Sequence, residues 1–191
     1  MYGLNHSIGK MKFQSRGKVG NKFMTKQVDS YRFLDGLTKK LVQTWIGLET
    51  RRAIPWAPLS KPLKDSTVAL VSSAGLALHT DRPFDQEGER RNPWWGDPSY
   101  RILPRTATEA DVKLYHLHIH PRLIEHDLNT VLPLQRLLEL EVRGEIGRAA
   151  ANHYSIMGYI LQPQELLEQS VPAMVQHMQR DAVDVVLLVP G

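Results

Sequence analysis

The spacing of apolar residues predicts alternating helices and strands along most of this chain. Between residues 28 and 50, apolar side chains recur at steps of three and four, which predicts an amphipathic helix packed on a core; they are Leu34, Leu37, Leu41, Trp45 and Leu48. The β-branched run at residues 67–71 predicts a short strand, and the small residues 72–75 after it predict a tight loop.

The second half of the chain continues the pattern. Pro133 suits a first helical turn, and Gly144 suits the end of a helix whose apolar face is formed by Leu134, Leu137, Leu138 and Val142. Residues 153–158 predict a short strand that leads into a loop. Pro163 then opens another helix, which Pro172 either kinks or restarts from Ser170.

The last apolar run, residues 185–189, predicts a buried strand that is closed by Pro190 and Gly191. Strand, crossover helix and strand in this order favour an α/β fold with a mostly parallel sheet and flanking helices, Rossmann-like in outline. Ligands of such sheets bind beyond the carboxyl ends of the strands, so we expect a domain that is incomplete at its C-terminus.

A long loop is predicted from Leu76 to Arg105, since this stretch is rich in proline, glycine, charged residues and tryptophan. The adjacent Trp94 and Trp95 suggest a substrate lid or a contact with another subunit. The alternative is a loop folded back on its own core, with Arg82 and Arg101 paired to Asp81, Asp85 or Asp97.

Charge is distributed unevenly along the chain. The net charge of +4 arises in residues 1–26, which hold six basic and no acidic residues and leave 18 basic against 20 acidic residues in 27–191. We expect residues 1–26 to be a disordered basic extension or to lie upstream of a true start at Met24, and 27–191 to be a single, truncated α/β domain. The slightly acidic domain predicts no nucleic-acid partner.

Composition excludes several classes of site. The chain contains no cysteine, which rules out disulfides, Cys-ligated zinc and thiol catalysis by these 191 residues. No run approaches the roughly 18 apolar residues that cross a bilayer, and no signal peptide is visible, so we expect a cytoplasmic protein without a membrane partner.

The main candidate for chemistry is the alternating segment from Val112 to His120. A strand here would place His116, His118 and His120 on one face, where with Asp127 nearby they could bind a divalent metal or act as acids, bases and donors. His126 and His153 are possible additions. The alternative is that these histidines are hydrogen-bonded structural residues.

Short motifs spread over residues 56–191 carry a family resemblance. They are V-A-L-V-S-S-A-G-L (68–76), D-R-P-F (81–84), S-Y-R (99–101), H-L-H (116–118), D-L-N (127–129), L-P-L-Q-R-L (132–137), G-E-I-G (144–147), H-Y-S-I-M-G-Y (153–159) and V-D-V-V-L-L-V-P-G (183–191). In this order they resemble the selenoprotein B family of glycine, sarcosine, betaine and D-proline reductases.

The resemblance implies reductive cleavage of a C–N bond in a small amino acid such as glycine, sarcosine, betaine or D-proline. It also implies a partner subunit that carries a pyruvoyl group, a thiol reductant and an oligomeric assembly. In the family, a redox cysteine or selenocysteine follows the V-D-x-V-L-L segment, so the nucleophile is expected after Gly191 and no cofactor is expected in this chain.

The resemblance also suggests pocket residues by position. His116, His118, Asp127 and Asn129 match family motifs, and Arg82 and Arg101 could pair with a substrate carboxylate. Three hypotheses stay open at this point: a reductase subunit that lacks its redox loop, a metal-dependent enzyme built on the three histidines, and a non-catalytic assembly subunit.

Overall fold

The computed structural model describes residues 35–48, 57–92 and 94–191, and its contacts divide the chain into two units, Met1–Pro55 and Trp56–Gly191. In the first unit, helix α1 spans Gly36–Leu48. The Asp35 carboxylate caps this helix by accepting hydrogen bonds from backbone N–H groups of its first turn.

The predicted helix is confirmed over α1. Leu37 and Leu41 are 79% and 70% exposed among the described residues, so the packing of this helix on a core stays a prediction. Helical periodicity shows that a helix is amphipathic and does not show what covers it. Leu34 and the basic extension of residues 1–26 lie outside the described residues, and the domain bounds of 1–26 and 27–191 stay predictions.

The second unit is built on a curled sheet centred on strand β1, Thr67–Ser72. Strands β5 (Arg148–Ala149), β6 (Asn152–Ile156) and β7 (Val185–Val189) pair with β1 in parallel. Strand β3 (Tyr100–Pro104) runs antiparallel to β6. A mixed α/β fold with mostly parallel strands is therefore confirmed, whereas its Rossmann-like character and its incompleteness stay predictions.

The predicted long loop contains regular structure. Strand β2 (Leu76–Leu78) pairs antiparallel with β4 (Val112–Leu114), and helix α2 covers Gln86–Arg91. Together with β3, these elements correct the prediction of a structureless segment from residue 76 to 105. The strands are only three and five residues long, too short for alternation to stand out among prolines and charged residues.

The remaining helical elements follow the predicted order. They are the 3₁₀ turns Leu63–Asp65 and Leu128–Thr130, α3 (Arg122–His126), α4 (Leu134–Val142), a π-helical turn Leu166–Ser170 and α5 (Val171–Arg180). Gly144 follows α4 with φ +70°, as a helix stop requires, but Val142 is 88% exposed, which corrects its assignment to the buried face.

Pro172 does not restart the helix at Ser170. Ser170 has helical dihedral angles and makes no side-chain cap, so the π-helical turn runs directly into α5. A π turn accommodates the backbone hydrogen bond that proline cannot donate. None of the described helices is long and apolar enough to span a bilayer.

Helices cover both faces of the sheet around β1. Val68 and Leu70 join a cluster that includes Leu134 and Leu137 of α4, whereas Val71 joins a second cluster on α5. Side chains of a strand alternate between its two faces, so α4 and α5 lie on opposite sides of β1. All six residues of β1 are buried as a result.

Strand β7 is confirmed, but the prediction that it is buried is wrong. Val186, Leu187 and Leu188 are 39%, 49% and 71% exposed. Strand β7 pairs with β1 on one side, and a continuous apolar run does not reveal whether a neighbour covers its faces. Exposed apolar strands of this kind favour association.

A histidine fills a break in the sheet beside β1. The register between β1 and the two strands that follow residue 147 shifts by two residues between Val68↔Ala149 and Val71↔Tyr154. Leu70 lies opposite this break, and its N–H donates 3.0 Å to Nδ1 of the fully buried His153. Nδ1 must be unprotonated to accept, so the ring is neutral with its proton on Nε2.

Burial also keeps His153 neutral. Desolvation, followed by the charge of Arg105, lowers the pKa of His153 from 6.5 to about 4. Its Nε2 is buried and has no hydrogen-bond partner, so this histidine serves the backbone of β1 and is not available for metal binding or proton transfer.

We expect the stability of the domain to decrease as the pH falls from 6.5 towards 4. The unfolded chain protonates His153 near pH 6.5 and the folded chain only near 4, so acid favours the unfolded state by up to about 3 kcal/mol. Urea unfolding of the wild type and His153→Asn, measured across this range, tests this. Asparagine keeps an acceptor for Leu70 and does not titrate, so its curve should be flatter.

His153→Leu serves as the second variant. At pH 7 it should unfold about 1–3 kcal/mol more easily than His153→Asn, because it leaves the buried Leu70 N–H without an acceptor. Equal stability of these two variants would contradict the role assigned to His153.

Candidate functional site

The carboxyl ends of three strands meet at one edge of the sheet. The Ser73 N–H donates a hydrogen bond to the carbonyl oxygen of Val189 in β7, with an N–O distance of 3.0 Å. The Gly75 N–H donates to the carbonyl oxygen of Ile156 in β6, with an N–O distance of 2.9 Å. Gly191 donates its N–H 2.9 Å to Ser73 Oγ. The loop that follows β1 is therefore tied to the ends of both neighbouring strands.

Two predicted histidines lie at this edge. Together with the loop after β1, they define the strand-end site, which consists of Ser73, Gly75, His116, His118, Gly158 and Tyr159. The prediction that the histidines continue a strand is wrong, because β4 ends at Leu114. His116 Nδ1 accepts the backbone N–H of His118 at 3.1 Å, a local bond that competes with strand pairing.

His116 is buried and presents one nitrogen to the site. Burial first, and then the charge of His118, lowers the pKa of His116, so its ring is neutral near pH 7. Because Nδ1 is an acceptor, the proton is on Nε2. Nε2 therefore acts as a hydrogen-bond donor at the end of the sheet.

Gly158 creates the space for this ring. A Cβ at Gly158 would lie 2.6 Å from His116 Nε2 and 2.8 Å from the carbonyl oxygen of Ser73. The second clash is with backbone, which cannot rotate away. A side chain here would displace either the imidazole or the loop after β1.

His118 and Tyr159 form the exposed rim of the site. The His118 ring centroid lies 5.7 Å from that of His116 and 5.4 Å from that of Tyr159, both edge-on. Tyr159 has φ 59°, a left-handed conformation that is unusual for a residue with a large side chain. Such strain is concentrated at functional sites.

The third histidine does not join the other two. His120 is exposed, and its Nδ1 accepts the backbone N–H of Arg122 at 3.3 Å. Within residues 35–48, 57–92 and 94–191, no group of three His, Asp or Glu side chains is arranged to hold a metal ion. The hypothesis of a metal site on His116, His118 and His120 has no support in this part of the chain.

Asp127 and Asn129 cap helical turns. Asp127 Oδ1 accepts the N–H of Asn129 at 2.9 Å, and Asn129 Oδ1 accepts the N–H groups of Gln135 and Arg136 in the first turn of α4. Hydrogen bonds from the side chain and backbone of Asn129 lower the pKa of the Asp127 carboxyl. Both residues are fully used in local structure.

Arg101 ties the loop to the sheet. Its guanidinium donates to the carbonyl oxygens of Arg82, Pro83 and Tyr100 and to Ser99 Oγ, and it lies 4.0 Å from the centre of the Phe84 ring. The loop is thus folded on its own core, although through carbonyl groups instead of the aspartates expected for Arg101. The side chain of Arg82 is exposed, and Trp94 is 61% exposed.

Sequence reasoning missed Glu89. This residue of α2 is only 5% exposed, and both of its carboxylate oxygens are buried without a hydrogen-bond partner. Desolvation raises its pKa, and the charges of His118 and Arg90 partly oppose that shift. The run E-G-E-R-R is typical of a solvated helix face, so no sequence pattern indicates that one carboxylate is buried.

Other motif residues hold the strands in place. Asp184 Oδ2 accepts the Thr67 N–H at 2.8 Å and pairs with Lys61 Nζ at 2.7 Å, which anchors the start of β7. Ser155 Oγ accepts the Leu76 N–H at 2.7 Å, and Ser72 Oγ donates to the Val131 carbonyl at 2.7 Å. Much of the motif set is therefore structural.

We expect Gly158→Ala to destabilise the domain by about 1–3 kcal/mol and to move the His116 ring, because its methyl group overlaps backbone and imidazole. Urea unfolding and the imidazole NMR signals of His116 measure the two effects. Gly144→Ala is the control: its φ of +70° costs about 1 kcal/mol, yet nothing lies within 4 Å of the new methyl group, so His116 should not shift. An unchanged His116 signal in Gly158→Ala would contradict the contact.

Asn129→Ala should lower the free energy of unfolding by about 1 kcal/mol, because two N–H groups of α4 lose their acceptor. Asn129→Asp retains an acceptor and should recover most of this loss. If Asn129→Ala instead leaves stability unchanged but abolishes ligand binding, the capping role is wrong and the pocket role predicted from sequence is right.

Comparison with known proteins adds to this geometry. The D-proline reductase subunit gamma of Acetoanaerobium sticklandii is 28% identical over 151 residues, which are 76% of this chain and 59% of that protein. The betaine reductase complex component B subunit beta of Peptoclostridium acidaminophilum is 29% identical over 134 residues, 68% of this chain and 30% of that protein.

The chain thus spans less than two thirds of the length of either relative. No solved structure shows significant similarity to it. Residues 7–190 match the glycine/sarcosine/betaine reductase selenoprotein B family, so almost the whole chain is covered. The chain belongs to this family.

Proposed function

We propose that this chain is a subunit of a selenoprotein B-type reductase, which cleaves a C–N bond of a small amino acid such as glycine, sarcosine, betaine or D-proline. The family match over residues 7–190 supports this most strongly. The two relatives are named as subunits of D-proline and betaine reductases, which supports a role within a complex.

In this proposal, the redox nucleophile comes from polypeptide outside these 191 residues. Reductive cleavage needs a thiolate or selenolate, and this sequence contains no cysteine. Gly191 lies against Ser73 in the strand-end site, so a Cys- or Sec-bearing loop near that point would face His116. A pyruvoyl-containing partner subunit and a thiol reductant complete the proposed system.

The strand-end site is the proposed substrate pocket. The neutral His116 has an Nε2–H group that can donate a hydrogen bond to a substrate carboxylate. His118 and Tyr159 line the entrance. Arg82, whose side chain is exposed, is the remaining candidate partner for a carboxylate, because Arg101 is held by carbonyl oxygens.

An assembly role without catalysis is the second candidate. The exposed apolar side chains of β7 and the 61% exposed Trp94 favour it, since surfaces of this kind pack against partners. The two candidates make different predictions about His116, which a reductase needs and an assembly subunit does not.

Affinity purification of the tagged chain from its native cells tests the proposal. We expect a Cys- or Sec-containing polypeptide and a pyruvoyl-containing subunit in the complex, together with dithiol-dependent reduction of at least one of the four amino acids. Peptide mass spectrometry identifies the subunits, and product formation measures the activity.

Replacing His116 by leucine should lower this activity about a hundredfold, the usual effect of losing one well-placed donor, because leucine has no N–H group in its side chain. His126→Ala, a change at an exposed histidine of α3, should have no effect. Full activity of His116→Leu in an intact complex would favour the assembly role, and dithiol-dependent turnover by the isolated 191-residue chain would contradict an external nucleophile.

A further inference from the structure

Glu89 is a buried acid that the domain itself does not neutralise. Its side chain is 5% exposed, and neither carboxylate oxygen has a hydrogen-bond partner among the described residues. A buried carboxylate without a partner is costly, and proteins normally relieve that cost with a cation, a hydrogen-bond donor or a proton. The cost of burying this carboxylate must therefore be relieved by a group from outside the domain or by protonation.

The position of Glu89 on α2 directs it to the strand-end site. Gln86, three residues earlier on the same helix, donates its amide N–H to the carbonyl of Tyr115. Residues three apart on a helix share a face, so Glu89 faces the same segment, which continues to His116 and His118. The charge of His118 acts on the Glu89 carboxyl, which agrees with this placement.

The charged groups near Glu89 attract and repel its carboxylate, and none of them forms a hydrogen bond with it. His118 and Arg90 attract the carboxylate, whereas Asp97 repels it. Arg90 lies on the same helix and forms a long contact, 4.0 Å, with Glu87. Asp97 accepts hydrogen bonds from the N–H groups of Asp85 and Ser99. As an ionised carboxylate it has no hydrogen to donate to Glu89.

We propose that Glu89 binds the substrate's ammonium group and selects amino acids that carry N–H protons over quaternary ones. This inference rests on the proposed function and assigns the specificity of the same site. Two unpartnered oxygens match a primary or secondary ammonium, which donates at least two N–H hydrogen bonds. A trimethylammonium group donates none and is recognised mainly by aromatic faces.

In this arrangement the ligand lies between Glu89 and His116. Its ammonium group reaches Glu89 by displacing the exposed ring of His118, and its carboxylate accepts the Nε2 proton of His116. Ionised Glu89 is the form that binds, so bound ligand and bound proton compete for the same carboxylate.

Equilibrium binding to the purified full chain tests the assignment. NMR titrations compare glycine with betaine, and D-proline with N,N-dimethyl-D-proline; in each pair the second member has methyl groups in place of the N–H hydrogens, and the Glu89→Gln variant separates the effect of size from that of the N–H groups. We expect the N–H-bearing member to bind about tenfold or more tightly, as two charge-assisted hydrogen bonds imply. Its affinity should increase with pH until Glu89 is fully ionised.

Glu89→Gln is the central variant, and Glu87→Gln on the exposed face of α2 is its matched control. Glu89→Gln should remove both the preference and its pH dependence, and Glu87→Gln should change neither. Since Glu89 makes no hydrogen bond within the domain, Glu89→Gln should be at least as stable to heat as the wild type without ligand. A less stable Glu89→Gln variant would indicate a structural role and overturn the assignment.

Other outcomes also decide the question. Equal or tighter binding of the quaternary ligands would overturn the role of Glu89 and yet leave the reductase proposal standing, since betaine is a substrate of that class. Failure of every ligand to bind would overturn the inference as well. A clear N–H preference in a protein that never joins a reductase complex would support Glu89 and refute the proposed function.

Discussion

The structure depends on the complete burial of β1. All six residues of this strand are buried, helices cover both faces, and strands lie along both edges. No water reaches this backbone, so each of its N–H groups needs a partner within the protein. Where the neighbouring strands cannot supply one, side chains do: His153 for Leu70 and Asp184 for Thr67. These two residues belong to motifs that carry the family resemblance.

The same constraint shapes the strand-end site. Once β1 leaves the sheet, Ser72 and Ser155 take over the hydrogen bonds of the turn, and the Ser73 and Gly75 N–H groups bond to the ends of β7 and β6. This network fixes the loop against which Gly158 and His116 pack. The position of the imidazole is therefore set on two sides by backbone, at Gly158 and at the N–H of His118, which is the kind of rigidity that a binding or catalytic donor needs.

Sequence patterns predict the elements that are buried in the core, but they do not reveal which apolar elements are left exposed. The apolar run of β1 and the helix at α4 agree with their sequence patterns because buried elements of regular length leave strong patterns, although Val142 at the end of α4 is exposed. The alternation from Val112 to His120 suits a strand or an extended turn equally well, and a side-chain bond from His116 decided in favour of the turn. The exposure of β7 depends on neighbours that its own sequence does not encode.

The candidate site shows the same division. His116 and His118, predicted from one motif, lie at the candidate site, whereas Asp127 and Asn129 from another motif cap helical turns, and a pocket role stays a prediction for all four. Conversely, Glu89 lies among charged residues that resemble a solvated surface, and only the fold reveals that it is buried. The motifs contain residues that hold the fold together as well as residues of the candidate site, and the hydrogen bonds of each side chain show which of them support the fold.

Unsatisfied groups carry the remaining information about function. Within the described residues, the buried side-chain atoms without a hydrogen-bond partner are the two Glu89 oxygens, His153 Nε2 and the Tyr154 hydroxyl. Of these, the Glu89 carboxylate is the most costly to leave unpaired, because a buried carboxylate costs more than a neutral imidazole or phenol. The exposed leucines of β7 are the apolar counterpart, since they lack cover just as Glu89 lacks a donor. The β7 backbone pairs with β1, but its exposed side chains lie outside that pairing, as the Glu89 carboxylate does. The apolar surface is the basis for the proposed protein partner, and the buried acid is the basis for the proposed cationic ligand.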